Sequence, residues 1–157
     1  IAERLPQGWL TPIDDGGQTY GDALLAPTTL YSPVTEALWK AGITPHYSAN
    51  ITGHGWRKLL RHPKALTYRI TQVPPVPQVL AFIVEHAAHD AQEAYSTFNM
   101  GAGFALFVAP GEAQRCVDVA RAHGIEAWVA GRVEAGPKQL LIEALALRFD
   151  DQALQLR

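Results

Sequence analysis

Helix-patterned and strand-patterned runs interleave along this chain, and almost every run is closed by a glycine or a proline. There are 13 glycines and 11 prolines in 157 residues, and they set the lengths of the elements. Ser32 followed by Pro33 pairs a capping residue with the residue best suited to a first helical position. This predicts a helix over "PVTEALWKA" that stops at Gly42, with Val34, Leu38 and either Ala37 or Ala41 on one face. "ITPHYSANI" alternates apolar and polar residues and predicts a strand. The Gly53–Gly55 loop leads into a short helix from Trp56 to about Arg61, limited by Pro63. "ALTYRITQV" is the clearest strand, with Leu66, Tyr68 and Ile70 on one face and Thr67, Arg69 and Thr71 on the other.

Two helices, "PQVLAFIVEHAAHD" and "AQEAYSTF", come next. "FALFVA" is a continuous apolar run and predicts a buried central strand. "PGEAQRCVDVARAHG" predicts an amphipathic helix opened by Pro110 and closed by Gly124. "IEAWVAGRVEAG" and "PKQLLIEALALRF" predict two further strands, although the Leu and Ala content of the second also suits a helix. Residues 1–20 carry Pro6, Gly8, Pro12 and "DDGGQ" and read as an irregular arm. A short turn capped by Asp22 and stopped by Pro27 follows, and 21–157 forms one domain. The final "DDQALQLR" receives no element. Strands and helices in this mixed order imply an α+β fold, a mixed β-sheet covered by helices.

Hydrophobic residues make up 48% of the chain and charged residues 18%, which is the composition of a globular domain with a core of its own. The net charge of -2 gives no overall attraction to nucleic acid or to anionic lipid. A single cysteine, Cys116, excludes an internal disulfide and a cysteine-based zinc cluster, which fits a reducing cytoplasm. No apolar run approaches the roughly 20 residues of a membrane helix. The opening "IAERL" lacks an initiator Met and reads as the last turn of a helix begun upstream, so the chain is expected to be a piece of a longer protein.

Chemistry concentrates in two glycine-rich stretches. In "NITGHGW" a strand leads through Gly53 and Gly55 into a helix. Such a turn leaves backbone N–H groups unpaired, and positive φ at the glycines would let a phosphate approach them. A turn of this composition is also common without any ligand. Arg57, Lys58 and Arg61 would steer an anion, or would form a solvated helix face. "FNMGAGF" is the second stretch, with Asn99, Gly101 and Gly103 between a helix and a strand. It reads either as a second ligand loop or as a helix terminus with a tight strand entry. The two loops would converge if their strands are neighbours. His86 and His89 have the i, i+3 spacing of metal ligands, but an outward helix face explains them as well. No nucleophile motif links the Ser, His and Asp residues, so no catalytic residue is assigned.

"LLAPTTLY", "NITGHGW" and "YSTFNMGAGFALFV", in this order and at these separations, resemble the C-terminal domain of aminoimidazole ribonucleotide (AIR) synthetase, the phosphoribosylformylglycinamidine cyclo-ligase of purine synthesis. "GIEAWVAGRVEAG" resembles that family's closing strand, and the likeness covers roughly residues 15 to 145. "TFNMGAG" is its most specific piece. The resemblance implies an α/β domain with a mixed sheet whose glycine loops face a cleft between domains. Carried over residue by residue, Asn50, Thr52, Gly53, His54, Gly55, Phe98, Asn99, Gly101 and Gly103 would form the ligand or phosphate site. It implies ATP and Mg²⁺ for the complete enzyme, with none held by this chain alone. It also implies as partners a separate ATP-binding N-terminal domain, a phosphorylated small-molecule substrate, and homo-oligomers.

Three positions depart from the family pattern. His54 stands in the middle of the family's triple glycine, Asn50 replaces a histidine, and Thr29 replaces an arginine in "PTR". They keep other readings open: a diverged, non-catalytic small-molecule-binding module or subunit, and a relative nearer selenophosphate synthetase or the hydrogenase maturation factor. A structural protein without a ligand is the third possibility.

Overall fold

The computed structural model describes residues 1–150. The tail 151–157, given no element from sequence, lies outside the described residues. The expected α+β architecture is present, but the strands form two sheets instead of one. β1 (Tyr47–Asn50) and β3 (Phe104–Phe107) make an antiparallel pair, with Tyr47 opposite Phe107 and Asn50 opposite Phe104. The second sheet has the order β4-β2-β5-β6. Its central strand β2 (Leu66–Ile70) runs antiparallel to β4 (Gly131–Ala135) and parallel to β5 (Gln139–Ile142). β6 (Leu147–Asp150) closes the far edge against β5.

"IEAWVAGRVEAG" was expected to be one strand, yet the ladder covers only Gly131–Ala135. The Ala130 carbonyl accepts from two successive amides, those of Thr71 (2.9 Å) and Gln72 (3.1 Å), which breaks the register at that point. β3 has β1 as its only ladder partner among the described residues. Its residues are half-buried, a correction to the buried central strand expected from "FALFVA". "PKQLLIEALALRF" is likewise two strands, β5 and β6, joined by a 3₁₀ turn over Glu143–Leu145 and by Ala146 in the left-handed region.

The helices follow their punctuation. α1 (Tyr20–Leu24) is capped by Thr19, whose hydroxyl accepts from the Asp22 amide at 3.1 Å and donates to the Asp22 carboxylate at 2.6 Å. Asp22 thus answers the cap and does not supply it. In α2 (Ser32–Lys40) Ser32 is already helical and makes no cap, while Pro33 fits the first turn as expected. Gly42, at φ +73°, ends α2. α3 (Gln78–Ala87) stops where Ala88 turns left-handed. α4 (Ala91–Thr97) opens on a capping box between Asp90 and Glu93. α5 (Ala113–Ala122) ends just before Gly124.

Two cores result. The larger joins β2, β5 and β6 to the segment after β1, with Leu60, Leu140 and Ile142 sealed from solvent beside Trp56, Tyr68 and Phe149. The smaller packs Val34 and Leu38 of α2 with Ile43 against Cys116 and Ala120 of α5. In the N-terminal arm, Trp9 stacks on Tyr20, which in turn meets Phe82 of α3 at 5.0 Å.

Candidate functional site

Antiparallel pairing of β1 with β3 decides where the two glycine loops go. The first loop leaves the end of β1 and the second enters the start of β3, so both lie at the same end of the pair. Their backbones are bonded together. The Ile51 amide donates to the Gly103 carbonyl at 2.9 Å, and the Trp56 indole donates to the Asn99 carbonyl at 2.8 Å. Asn50, Ile51, Thr52, Gly55, Phe98, Asn99 and Gly103 thus form one neighbourhood.

Each glycine has its own constraint. A Cβ on Gly55 would collide with the Tyr95 carbonyl and come within 2.7 Å of the Phe98 carbonyl, so Gly55 is where α4 ends against the first loop. A Cβ on Gly101 would meet the Pro75 carbonyl at 2.6 Å. On Gly103 it would strike the Tyr31 hydroxyl, whose ring stacks on Phe104. Gly53 differs from these three: nothing lies within 4 Å of its Cβ position, and the space above it is open. Of the two glycines where positive φ is expected, Gly55 has it (+52°) and Gly53 does not; His54 (+79°) takes it instead, and in the second loop Met100 and Gly101 do. His54 therefore occupies a backbone conformation that glycine would hold without strain. Asn99 turns its amide oxygen inward, accepting from the Gly101 amide at 3.0 Å and closing the loop on itself.

The short helix expected from Trp56 to about Arg61 is present as a 3₁₀ helix over Gly55–Arg61. The Gly55 amide bonds the Thr52 carbonyl at 3.0 Å and so is not free for a ligand. The three cations separate. Arg57 donates to the Ser96 carbonyl at 3.0 Å and ties the segment to α4. The Lys58 ammonium bonds the Thr52 hydroxyl, and the Arg61 guanidinium stands 3.5 Å from His54 Nδ1. Burial lowers the Lys58 pKa from its ordinary value, and the Arg61 charge lowers it further. Sequence reasoning grouped these cations as one face. The three-residue period of a 3₁₀ helix, which pairs 58 with 61 and leaves 57 aside, is the signal that separates them.

An apolar cleft of about 720 Å³ opens beside β3, between it, α5 and residues 125–133. Of the candidate residues only Gly101 and Gly103 line it, together with Trp56 and Tyr31. Asn50, Thr52, Gly53, His54, Gly55, Phe98 and Asn99 are not part of its wall, so the candidate set does not share a single cavity.

Among the described residues no three His, Cys, Asp or Glu side chains gather to hold a metal ion. His86 Nδ1 lies 2.9 Å from the Phe82 carbonyl and its ring stacks on Phe82, while His89 pairs with Glu93 at 3.2 Å. The donor set around the loops does not fit Mg²⁺. It fits an anion: two cations, a threonine hydroxyl and an open glycine. Among the described residues no helix is long and apolar enough to cross a membrane.

These features define an α+β domain organised around two joined glycine loops. Residues 7–142 match the family described as AIR synthase related protein, C-terminal domain, and the chain belongs to that family. It is similar to the phosphoribosylformylglycinamidine cyclo-ligase of Methanococcus vannielii, 35% identical over 119 residues that cover 75% of this chain and 34% of the relative. The enzyme of the same name from Lachnospira eligens is 35% identical over 134 residues, 82% of this chain and 38% of its own. That from Methanothermobacter thermautotrophicus is 35% identical over 121 residues, 74% of this chain and 36% of its own. The chain thus spans about a third of the length of the curated relatives it matches.

Proposed function

We propose that this domain is the C-terminal part of an AIR synthetase-like, ATP-dependent cyclo-ligase acting on formylglycinamidine ribonucleotide in purine synthesis. Its paired glycine loops form one wall of a phosphate or nucleotide cleft, and an ATP-binding N-terminal domain, on the same or another chain, forms the other. The observation that carries this reading is the joining of the two loops through Ile51–Gly103 and Trp56–Asn99, beside an open Gly53 and the Lys58–Arg61 pair. In the complete enzyme, ATP would supply the phosphoryl group that activates an amide oxygen, and Mg²⁺ would offset the phosphate charge. Thr52, Gly53 and His54 would orient the substrate phosphate, and the acidic groups that hold Mg²⁺ would come from the other domain.

The test is reconstitution. The domain is mixed with the ATP-binding domain of a relative, and ATP-dependent ring closure is followed. Activity from the mixture and none from either part supports the proposal, whereas no activity from a mixture that associates overturns it. A second reading, a diverged module that binds a phosphorylated small molecule without turnover, is favoured by His54 in the triple-glycine position and by Asn50. Calorimetric titration with aminoimidazole ribonucleotide, with Gly53→Val as control, separates the two. Binding lost in the variant, together with an inactive mixture, selects the module.

A further inference from the structure

The apolar cleft beside β3 carries polar groups that nothing among the described residues answers. Along an antiparallel ladder the residues alternate, one bonding the partner strand and the next turning its N–H and C=O to the opposite edge. The Ile51 amide bonds the Gly103 carbonyl, so Ala49–Ala105 and Tyr47–Phe107 are the bonded pairs and Phe104 and Leu106 turn away from β1. Both line the cleft, and no backbone hydrogen bond among the described residues reaches that edge.

Tyr68 of β2 is the second such group. It is 2% exposed and lines the same cleft. Its ring meets Phe107 edge-on at 5.5 Å, and Tyr47 meets the same Phe107 at 5.5 Å. Among the described residues the Tyr68 hydroxyl has no hydrogen-bond partner, yet no side-chain oxygen or nitrogen is both sealed and unpaired. The hydroxyl therefore keeps open space at its tip, and the cleft is the space that Tyr68 lines. A buried donor without an acceptor costs free energy that a bound acceptor would recover. Burial, aided by Tyr47, pushes the Tyr68 pKa up, so the hydroxyl keeps its proton and can donate. Ile70, Val117, Ala120 and Trp128 make the wall around it apolar, and about 720 Å³ is the size of a small-molecule site. Arg132 is the one arginine or lysine on this wall among the described residues, and it is held by Glu134 at 2.6 Å. No free cation answers a carboxylate there, so an uncharged acceptor fits.

We propose that this cleft binds a small, uncharged apolar molecule carrying one oxygen acceptor, a ketone or an ester, with the Tyr68 hydroxyl donating to that oxygen. The site is separate from the glycine loops, of whose candidate residues only Gly101 and Gly103 touch it, and it does not rest on the enzyme reading.

The experiment is fluorescence titration of this chain with the ketone dye prodan, whose emission moves to the blue on leaving water, with menthone as an unlabelled competitor. Wild type is compared with three variants. Tyr68→Phe keeps the ring and removes the donor, Val117→Phe fills the cleft from α5, and Leu25→Lys alters exposed apolar surface outside the cleft. Thermal unfolding confirms that each is folded, and Ala120→Leu replaces Val117→Phe if that variant is not. The expected result is saturable binding by wild type that menthone displaces, weakened about fivefold by Tyr68→Phe, abolished by the filling variant and unchanged by Leu25→Lys. Affinity retained in the filling variant, or lost in Leu25→Lys, would put the dye on another surface and overturn the proposal. Unchanged affinity in Tyr68→Phe would overturn it as well, because the donor would then have no role. Absence of saturable binding by wild type would also overturn it, and is the outcome expected if residues 125–130 close onto the free edge of β3.

Discussion

Gly53 and Gly55 are two positions apart and answer to different forces. Gly55 is fixed by packing, because any side chain there meets the carbonyls that end α4. Gly55→Ala is expected to destabilise the domain by about 2 kcal/mol or more, seen as a lower urea midpoint. Gly53 touches nothing, and its φ lies outside the left-handed region, so Gly53→Ala should move the midpoint by no more than about 0.5 kcal/mol. A large loss in Gly53→Ala would show that the loop is packed and not open. His54 presents the opposite case. A non-glycine residue at φ +79° carries strain of about 1–2 kcal/mol. His54→Gly should therefore stabilise the fold by about 1 kcal/mol after the extra entropy of glycine in the unfolded chain is offset. An unchanged or lower Tm would mean that the His54 ring makes up the difference.

At the scale of elements, the four-stranded sheet is held by its sealed face and tuned by its polar one. Leu140 and Ile142 of β5 are fully buried, and truncation of either to Ala should cost about 2–5 kcal/mol by urea unfolding. On the other face Arg69 of β2 lies between Glu134 at 3.2 Å and Glu143 at 2.5 Å, and Arg132 reaches Glu134 at 2.6 Å. The Arg132 hydrogen bond, aided by Arg69 and opposed by desolvation, holds the Glu134 carboxyl below its ordinary value. A carboxylate depressed in the fold contributes stability that is present above its unfolded pKa and is lost as pH falls through the folded one. Stability should therefore decline on the acid side of the ordinary Glu range, and Glu134→Gln should flatten that decline in urea titrations taken at successive pH values. The same limb in wild type and variant would remove Glu134 from the account.

The whole molecule leaves apolar surface in solvent. Leu10, Leu25, Leu30 and Trp39 are each more than two-thirds exposed, and three of the four belong to the N-terminal arm and the turn after α1. Large apolar side chains left in solvent offer surface for contact with another molecule. The isolated domain is expected to self-associate, with a sedimentation coefficient that rises with concentration. The double substitution Leu25→Lys with Leu30→Lys should reduce that rise, and a concentration-independent monomer in wild type would sink the expectation.

The sequence alone was enough for the α+β class, the order of the elements, most of their ends and the resemblance that the family match bears out. Those properties are local: a proline at the start of α2, a glycine after α2 and α5, and an apolar alternation in β2 act within a few residues. What tertiary structure decided is non-local. Whether "FALFVA" is a central or an outer strand depends on what lies across from it, and among the described residues only β1 pairs with it. The 3₁₀ form of Gly55–Arg61, which starts where Gly55 packs against the end of α4, is visible only in the fold, and that form sorts Arg57 from Lys58 and Arg61. The two glycine loops were visible as loops, but their meeting at one end of β1 and β3 required the register of a strand pair more than 50 residues apart in sequence. Local propensity specifies an element, whereas its neighbours are chosen by packing, in which every other element takes part.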